Sequence, residues 1–220
     1  MMDYNKARFN MVEQQIRPWD VLDFDLLDTL ADIPREVFVQ EEQRGYAYCD
    51  APLVLPNGYM MLEPKIIARM VQGLGLKKTD SVLEVGTGSG YATAVLAALS
   101  AEVDTCDTDE VQLASAATIL DSLKIGNVHY RHGDGLDART HNRQYDAVYI
   151  GGSLPEVPEL LKGSLKDGGR MVVVVGEKPV QRCLQITREG ENFRQKVLFD
   201  TLVAGLGEKS LPKGGSKFVF

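Results

Sequence analysis

Between Val82 and Tyr91 the chain reads VLEVGTGSGY, with glycines at positions 86, 88 and 90. They follow an apolar run of strand character and precede a stretch, Tyr91 to Leu99, of helical character. Residues without side chains at such a junction let the backbone approach a ligand or a neighbouring element, and strand-to-helix loops are where open α/β sheets bind ligands. Spacing excludes two common phosphate loops. A dinucleotide-type G-x-G-x-x-G needs a glycine where Tyr91 stands, and a Walker-type loop needs a Gly-Lys-Ser/Thr that does not follow.

The pattern after Pro64 alternates helix and strand. Ile66, Ile67, Met70, Val71 and Leu74 line one helix face, and SVLEV is a buried strand. VDTC, NVHYR, YDAVYI and GGRMVVVV follow as strands, with helices expected over DEVQLASAATILDSL and EVPELLKGSL. Such alternation predicts an α/β class with a parallel sheet covered on both faces. FRQKVLFDTL and GSKFVF predict an antiparallel closing pair. Before this core, Phe9, Val12 and Ile16 share one helical face. Leu22, Leu26, Leu30 and Ile33 share another, behind a cap at Asp20 or Asp23. DAPLVLPNG reads as a surface loop.

Acidic residues stand at the ends of three successive predicted strands: Glu84, Asp107 and Asp134. A carboxylate at Glu84 repels a pyrophosphate and welcomes an ammonium or sulfonium. Asp107 is placed for ribose hydroxyls and Asp134 for an exocyclic adenine amine. A nucleoside with a cationic amino-acid tail satisfies all three, and S-adenosylmethionine is that molecule.

Composition narrows the partners. Thirty-one acidic against 24 basic residues give a net charge of -7, without the basic footprint of a nucleic-acid binder. No apolar run reaches the roughly 18 residues of a membrane span, and the N-terminus lacks a secretory apolar core, so a soluble cytoplasmic protein is expected. The three cysteines are odd in number and widely spaced, which suggests neither a disulfide framework nor a zinc site. His129 and His132 without nearby cysteines make a poor metal site, and none is expected.

Several stretches resemble the protein-L-isoaspartate O-methyltransferase family: IPREVFV at 33–39, AYCD at 47–50, VLEVGTGSGYATAVLAAL from Val82, NVHYRHGDG from Asn127 and YDAV from Tyr145. The first two blocks distinguish it from other methyltransferases. The resemblance implies a class I S-adenosylmethionine-dependent methyltransferase fold, Rossmann-like, with a seven-stranded mostly parallel sheet. Residues 1–62 would form an N-terminal helical extension packed on a cofactor-binding core of 63–220. It also implies repair chemistry, methylation of the stray carboxylate of isoaspartyl residues in damaged proteins, with S-adenosyl-L-homocysteine as the product.

Residue by residue, the resemblance puts Glu84, Gly86, Thr87, Gly88 and Gly90 on the methionine-binding strand and loop, Asp107 at the ribose, and Asp134 and Gly135 at the adenine. Met61 and Leu62 join the cofactor side, while Tyr59, Met60 and Ser153 are the acceptor-side candidates. The acceptor side departs from the family pattern. Met60 and Met61 stand in place of threonine and isoleucine, and Leu62 in place of the family's active-site serine, so no catalytic residue is assigned. IGGS replaces a small-residue run, and Ala138 replaces a glycine. Two further readings stay open: a methyltransferase of the same fold acting on a small apolar acceptor, and a cofactor-binding protein without transfer activity.

Overall fold

The computed structural model describes residues 2–137, 139, 141 and 143–209. In the leading region α1 (Tyr4–Asn10) runs on through a π-helical segment, Met11–Ile16, and a 3₁₀ turn, Arg17–Trp19. It is followed by α2 (Phe24–Asp32). Asp23 caps α2, its carboxylate accepting from the Leu26 N–H at 3.1 Å, whereas Asp20 takes a left-handed conformation just before it. Two short strands, β1 (Leu53–Val54) and β2 (Met60–Met61), then pair antiparallel. The DAPLVLPNG stretch is thus a folded hairpin, with Leu53 and Leu55 buried.

α3 (Pro64–Leu74) starts with proline in its first turn and ends at Gly75, which takes the left-handed conformation (φ 54°) that a C-terminal cap favours. The core continues through β3 (Ser81–Val85), α4 (Tyr91–Leu99), β4 (Glu102–Asp107), α5 (Glu110–Ser122) and β5 (Val128–His132). After it come β6 (Tyr145–Leu154), α6 (Glu159–Lys162), β7 (Leu165–Glu177), β8 (Val180–Glu189) and β9 (Asn192–Thr201). The sheet order is β5-β4-β3-β6-β7-β8-β9; the first five strands are parallel, and β8 and β9 close it antiparallel. The seven-stranded, mostly parallel sheet is therefore present, but β8 comes from VQRCLQITRE, a stretch the pattern does not mark as a strand. The strand expected at 215–220 and the departure at Ala138 lie outside the described residues.

The two sheet faces bury different layers. Val82, Ala147, Tyr149, Val172 and Val174 join one apolar cluster with α2, α3, α4 and residues of the leading region. Their neighbours Leu83, Val85, Val148, Ile150, Met171 and Val173 join the other, as the two-residue period of a strand requires. Among the described residues the second face is covered by the four-residue α6 and by irregular segments around Leu136, Val157 and Leu206, not by a matching helical layer. No helix is long and apolar enough to cross a membrane among the described residues.

Chain direction reverses at β3. The chain steps outward from β3 to β4 and β5, then returns to β3's other side with β6 and β7. The carboxyl ends of β3 and β6 thus frame a crevice at the topological switch point.

Candidate cofactor and acceptor site

The glycine loop leaves β3 with Gly86, Gly88 and Gly90 all at positive φ (89°, 52° and 85°), a region that side chains rarely enter. Backbone bonds from the Gly86 and Thr87 N–H groups to the Cys106 carbonyl tie the loop to β4. The Gly88 N–H donates to Asp107 Oδ2 at 2.9 Å, and Asp107 Oδ1 accepts from the Asp109 N–H at 3.0 Å. Each carboxylate oxygen retains a further lone pair, so Asp107 organises the loop and keeps acceptor capacity facing the crevice. Asp109 begins α5 by accepting from the Gln112 N–H, and it holds the hairpin above through Asn57 Nδ2 at 3.0 Å.

A cavity of about 220 Å³ opens between these parts. Its floor is Gly86, Gly88, Asp107, Asp134 and Gly135 from the strand ends; its roof is Leu55, Tyr59 and Met60 from the hairpin and Ala204 to Glu208 from the chain after β9. Asp107, Asp134 and Glu208 put three acids on the walls, and none of the described lining residues is a lysine or arginine. Phosphate is poorly served by such a wall, whereas a nucleoside with a cationic tail meets acceptors for its hydroxyl, amine and charge. Val85, Cys106 and Leu136 add apolar surface beside Asp134, and burial pushes the Cys106 thiol up to about 11, leaving it a neutral packing group. This set of acceptors and apolar surface therefore fits S-adenosylmethionine.

Two further cavities adjoin the first. One of about 40 Å³ lies against the glycine loop, with Met61, Leu62, Thr87 and Ser89 in its walls. Another of about 360 Å³ lies on the outer side, with Pro52, Leu62, Leu202 and Val203 in its walls alongside the ionisable Glu63, Lys178, Glu208 and Lys209. Met60 lines all three.

Most of the predicted residues gather here: Tyr59, Met60, Gly86, Gly88, Asp107, Asp134 and Gly135 line the first cavity, and Met61, Leu62 and Thr87 the small one. Three do not line these cavities. Glu84 is fully buried on the α4 side of β3, where Oε2 accepts from Thr93 Oγ1 at 2.6 Å and Thr105 Oγ1 at 2.7 Å. Burial pushes its carboxyl up to about 8, against the opposing pull of those two hydroxyls. Through these bonds Glu84 braces the strand and helix that carry the loop, while its Oε1 is buried without a hydrogen-bond partner among the described residues. Gly90 is the cap of α4, and a Cβ there would meet the Ala116 Cβ at 3.0 Å, so it serves the packing of α4 on α5. Ser153 lines none of the three cavities. It lies inside β6, its hydroxyl accepting from Gln181 Nε2 at 3.0 Å and its backbone pairing with Ala204 and Leu206.

Sequence reasoning missed the roof segment Ala204 to Glu208, along with Thr108, Gly133 and Gly151. Gly152 lets that segment close over β6, since a Cβ there would meet the Leu206 backbone at 2.8 Å, while a Cβ on Gly151 would meet the Gly86 carbonyl oxygen of the glycine loop at 2.8 Å. The glycine pair in IGGS was the available signal. Arg35 was also missed. It is wholly buried, with Nε donating to the Ala47 carbonyl and Nη2 to the Leu62 carbonyl, both at 2.8 Å, and its guanidinium stacks 4.6 Å above the Tyr91 ring. With no carboxylate bonded to it among the described residues, burial holds its pKa below the usual arginine value.

Comparison with known proteins agrees with this geometry. The model of the protein-L-isoaspartate(D-aspartate) O-methyltransferase family matches residues 7–210. A protein-L-isoaspartate O-methyltransferase from Desulfotalea psychrophila is 38% identical over 191 residues, covering 87% of this chain and 89% of that protein. Protein-L-isoaspartate O-methyltransferase 1 from Rhodopseudomonas palustris is 40% identical over 182 residues, covering 82% and 74%. A Plasmodium falciparum structure solved in complex with S-adenosyl-L-homocysteine superposes with a TM-score of 0.76 at 21% identity, covering 94% of this chain and 99% of that one, a likeness of fold. The chain belongs to the protein-L-isoaspartate(D-aspartate) O-methyltransferase family and is a class I S-adenosylmethionine-dependent methyltransferase.

Proposed function

We propose that this chain transfers a methyl group from S-adenosylmethionine to the free carboxylate of isoaspartyl residues in proteins or peptides. The observation that carries the reading is the acid-lined crevice at the switch point, with no lysine or arginine among its described lining residues, in a chain of this family. Asp107 holds the ribose hydroxyls, Asp134 and Gly135 the adenine edge, and the bare backbone of Gly86 and Gly88 the amino-acid end. Met61, Leu62 and Thr87 wall the small cavity beside that end.

When bound, the cofactor supplies a methyl group on a positively charged sulfur, already activated for displacement. The chain's own residues bind, orient and exclude water, contributions that place reacting atoms in line. An acceptor carboxylate with an ordinary pKa of about 4 is ionised at neutral pH and needs no general base. The first cavity, with neither histidine nor lysine among its described lining residues, is suited to that chemistry. Orientation of the acceptor falls to Tyr59 and to backbone groups, because Leu62 has no donor and the Ser153 hydroxyl is engaged inside the sheet.

A second reading, a small apolar acceptor, is favoured by one observation: the outer cavity beside Met60 is walled by Leu62, Leu202 and Val203. Transfer of labelled methyl to an isoaspartyl peptide and its aspartyl twin separates the two. Base-labile label on the isoaspartyl peptide alone is the expected result. No label on it, in a preparation shown to bind S-adenosyl-L-homocysteine, overturns the isoaspartyl reading.

A further inference from the structure

The outer cavity, about 360 Å³, is larger than the 220 Å³ cofactor crevice and shares three wall residues with it, Met60, Ala204 and Glu208. An occupant of the outer cavity is therefore a neighbour of whatever reacts in the crevice. Its inner walls are apolar: Pro52, Met60, Leu62, Leu202, Val203 and Ala204. Leu62 and Val203 are already 5% exposed and belong to the packed core, so this side is preformed. Leu202 is different, because 54% of it faces solvent on the cavity wall, and an exposed leucine beside a concave apolar surface marks a place that gains by being covered.

Charges lie at the rim. Lys178 and Glu208 face each other at 3.4 Å with side chains 59% and 52% exposed, and Lys209 lies 5.4 Å from the Tyr59 ring centroid. Glu63 is the remaining ionisable wall residue. An exposed pair of this kind contributes little binding energy, and Glu63 and Glu208 offset the charges of Lys178 and Lys209 in the wall. The reacting carboxylate has to meet the methyl group held in the crevice, so the outer cavity is left to a neighbouring part of the acceptor, and its six apolar wall residues suit an apolar group.

We propose that this cavity is the subsite for the side chain adjacent to the methylated residue, and that it selects acceptors in which the isoaspartyl residue has an apolar neighbour. The proposal rests on the isoaspartyl reading above. It makes Leu62 and Leu202 specificity-determining residues, and it gives the serine-to-leucine departure a purpose: a hydroxyl is exchanged for the wall of a side-chain pocket.

The test is a series of isoaspartyl peptides differing only in the residue on either side of the isoaspartyl, with leucine, glycine, lysine or glutamate, assayed for kcat/KM with the full chain and S-adenosylmethionine. Burial of a leucine side chain predicts a preference of about tenfold or more over glycine on one of the two sides. Leu202→Lys is expected to bring that leucine-to-glycine ratio close to one, with affinity for S-adenosyl-L-homocysteine, measured by calorimetry, serving as the check on folding. Equal kcat/KM across the series overturns the subsite, and so does a preference for lysine or glutamate, or a leucine preference that survives Leu202→Lys. If no peptide is methylated while the cofactor product binds, the isoaspartyl reading itself fails, and the subsite fails with it.

Discussion

Glu84 shows how one buried carboxyl can brace a loop whose cavities it does not line. Its carboxyl sits at about 8 in the folded chain against 4.5 for the ordinary group, because burial disfavours the charged form. The folded state thus binds this proton more tightly than the unfolded state does. The stability it contributes is complete below about 4.5 and is lost as pH rises through about 8. Glu84→Gln removes the titration, so the wild type is expected to lose stability relative to the variant across that window, by roughly a few kcal/mol. Thermal unfolding of both proteins at intervals from pH 5 to 9 reads the difference, and parallel curves would contradict it. The place of Glu84 beside the glycine loop was legible in VLEVGTGSG, but its direction was not. Every residue of β3 is buried, so the strand has no polar face to reveal which side each residue takes.

At the scale of elements, the hairpin roofing the site is held by a charge. Arg35 ties the carbonyls of Ala47 and Leu62 together from beneath, and no other side chain is bonded to those two carbonyls among the described residues. Arg35→Met is expected to leave both without their partner and to destabilise the chain by about 2 to 4 kcal/mol, read as a lower denaturant midpoint at unchanged slope. The helices around this roof were readable because each carries local punctuation: Asp23 ahead of α2, Pro64 and Gly75 at the ends of α3, Asp109 ahead of α5. β8 was not readable for a specific reason. Gln181, a polar residue near its start, is buried, donating to Ser153 and accepting from the Val203 N–H, and such a residue disguises the alternation of a strand. The roof segment after β9 was hidden in the same way, because its place depends on long-range contacts with β6.

For the whole molecule, the leading region, the sheet and the chain after β9 meet at one crevice, so a ligand there bridges segments far apart in sequence. A ligand that binds only the folded chain stabilises it by about 2.7 kcal/mol at a concentration 100 times its Kd. At this chain length that corresponds to a rise in Tm of roughly 5 to 10 °C. Saturating S-adenosyl-L-homocysteine is expected to produce such a rise in the wild type and little of it in Asp107→Ala; equal shifts in both would remove Asp107 from the binding set. The fold class and the crevice's acidic floor were legible because strand ends, glycines and carboxylates occur together in short stretches. The outer cavity was not, since the hairpin flanked by Pro52 and Leu62, the turn at Lys178 and the chain after β9 at Leu202 are three segments far apart in sequence. The wall shared by crevice and cavity carries a last consequence. Met60, Ala204 and Glu208 touch the contents of both, so any shift in them that one occupant induces changes the affinity for the other by a factor that thermodynamic linkage makes the same in either direction.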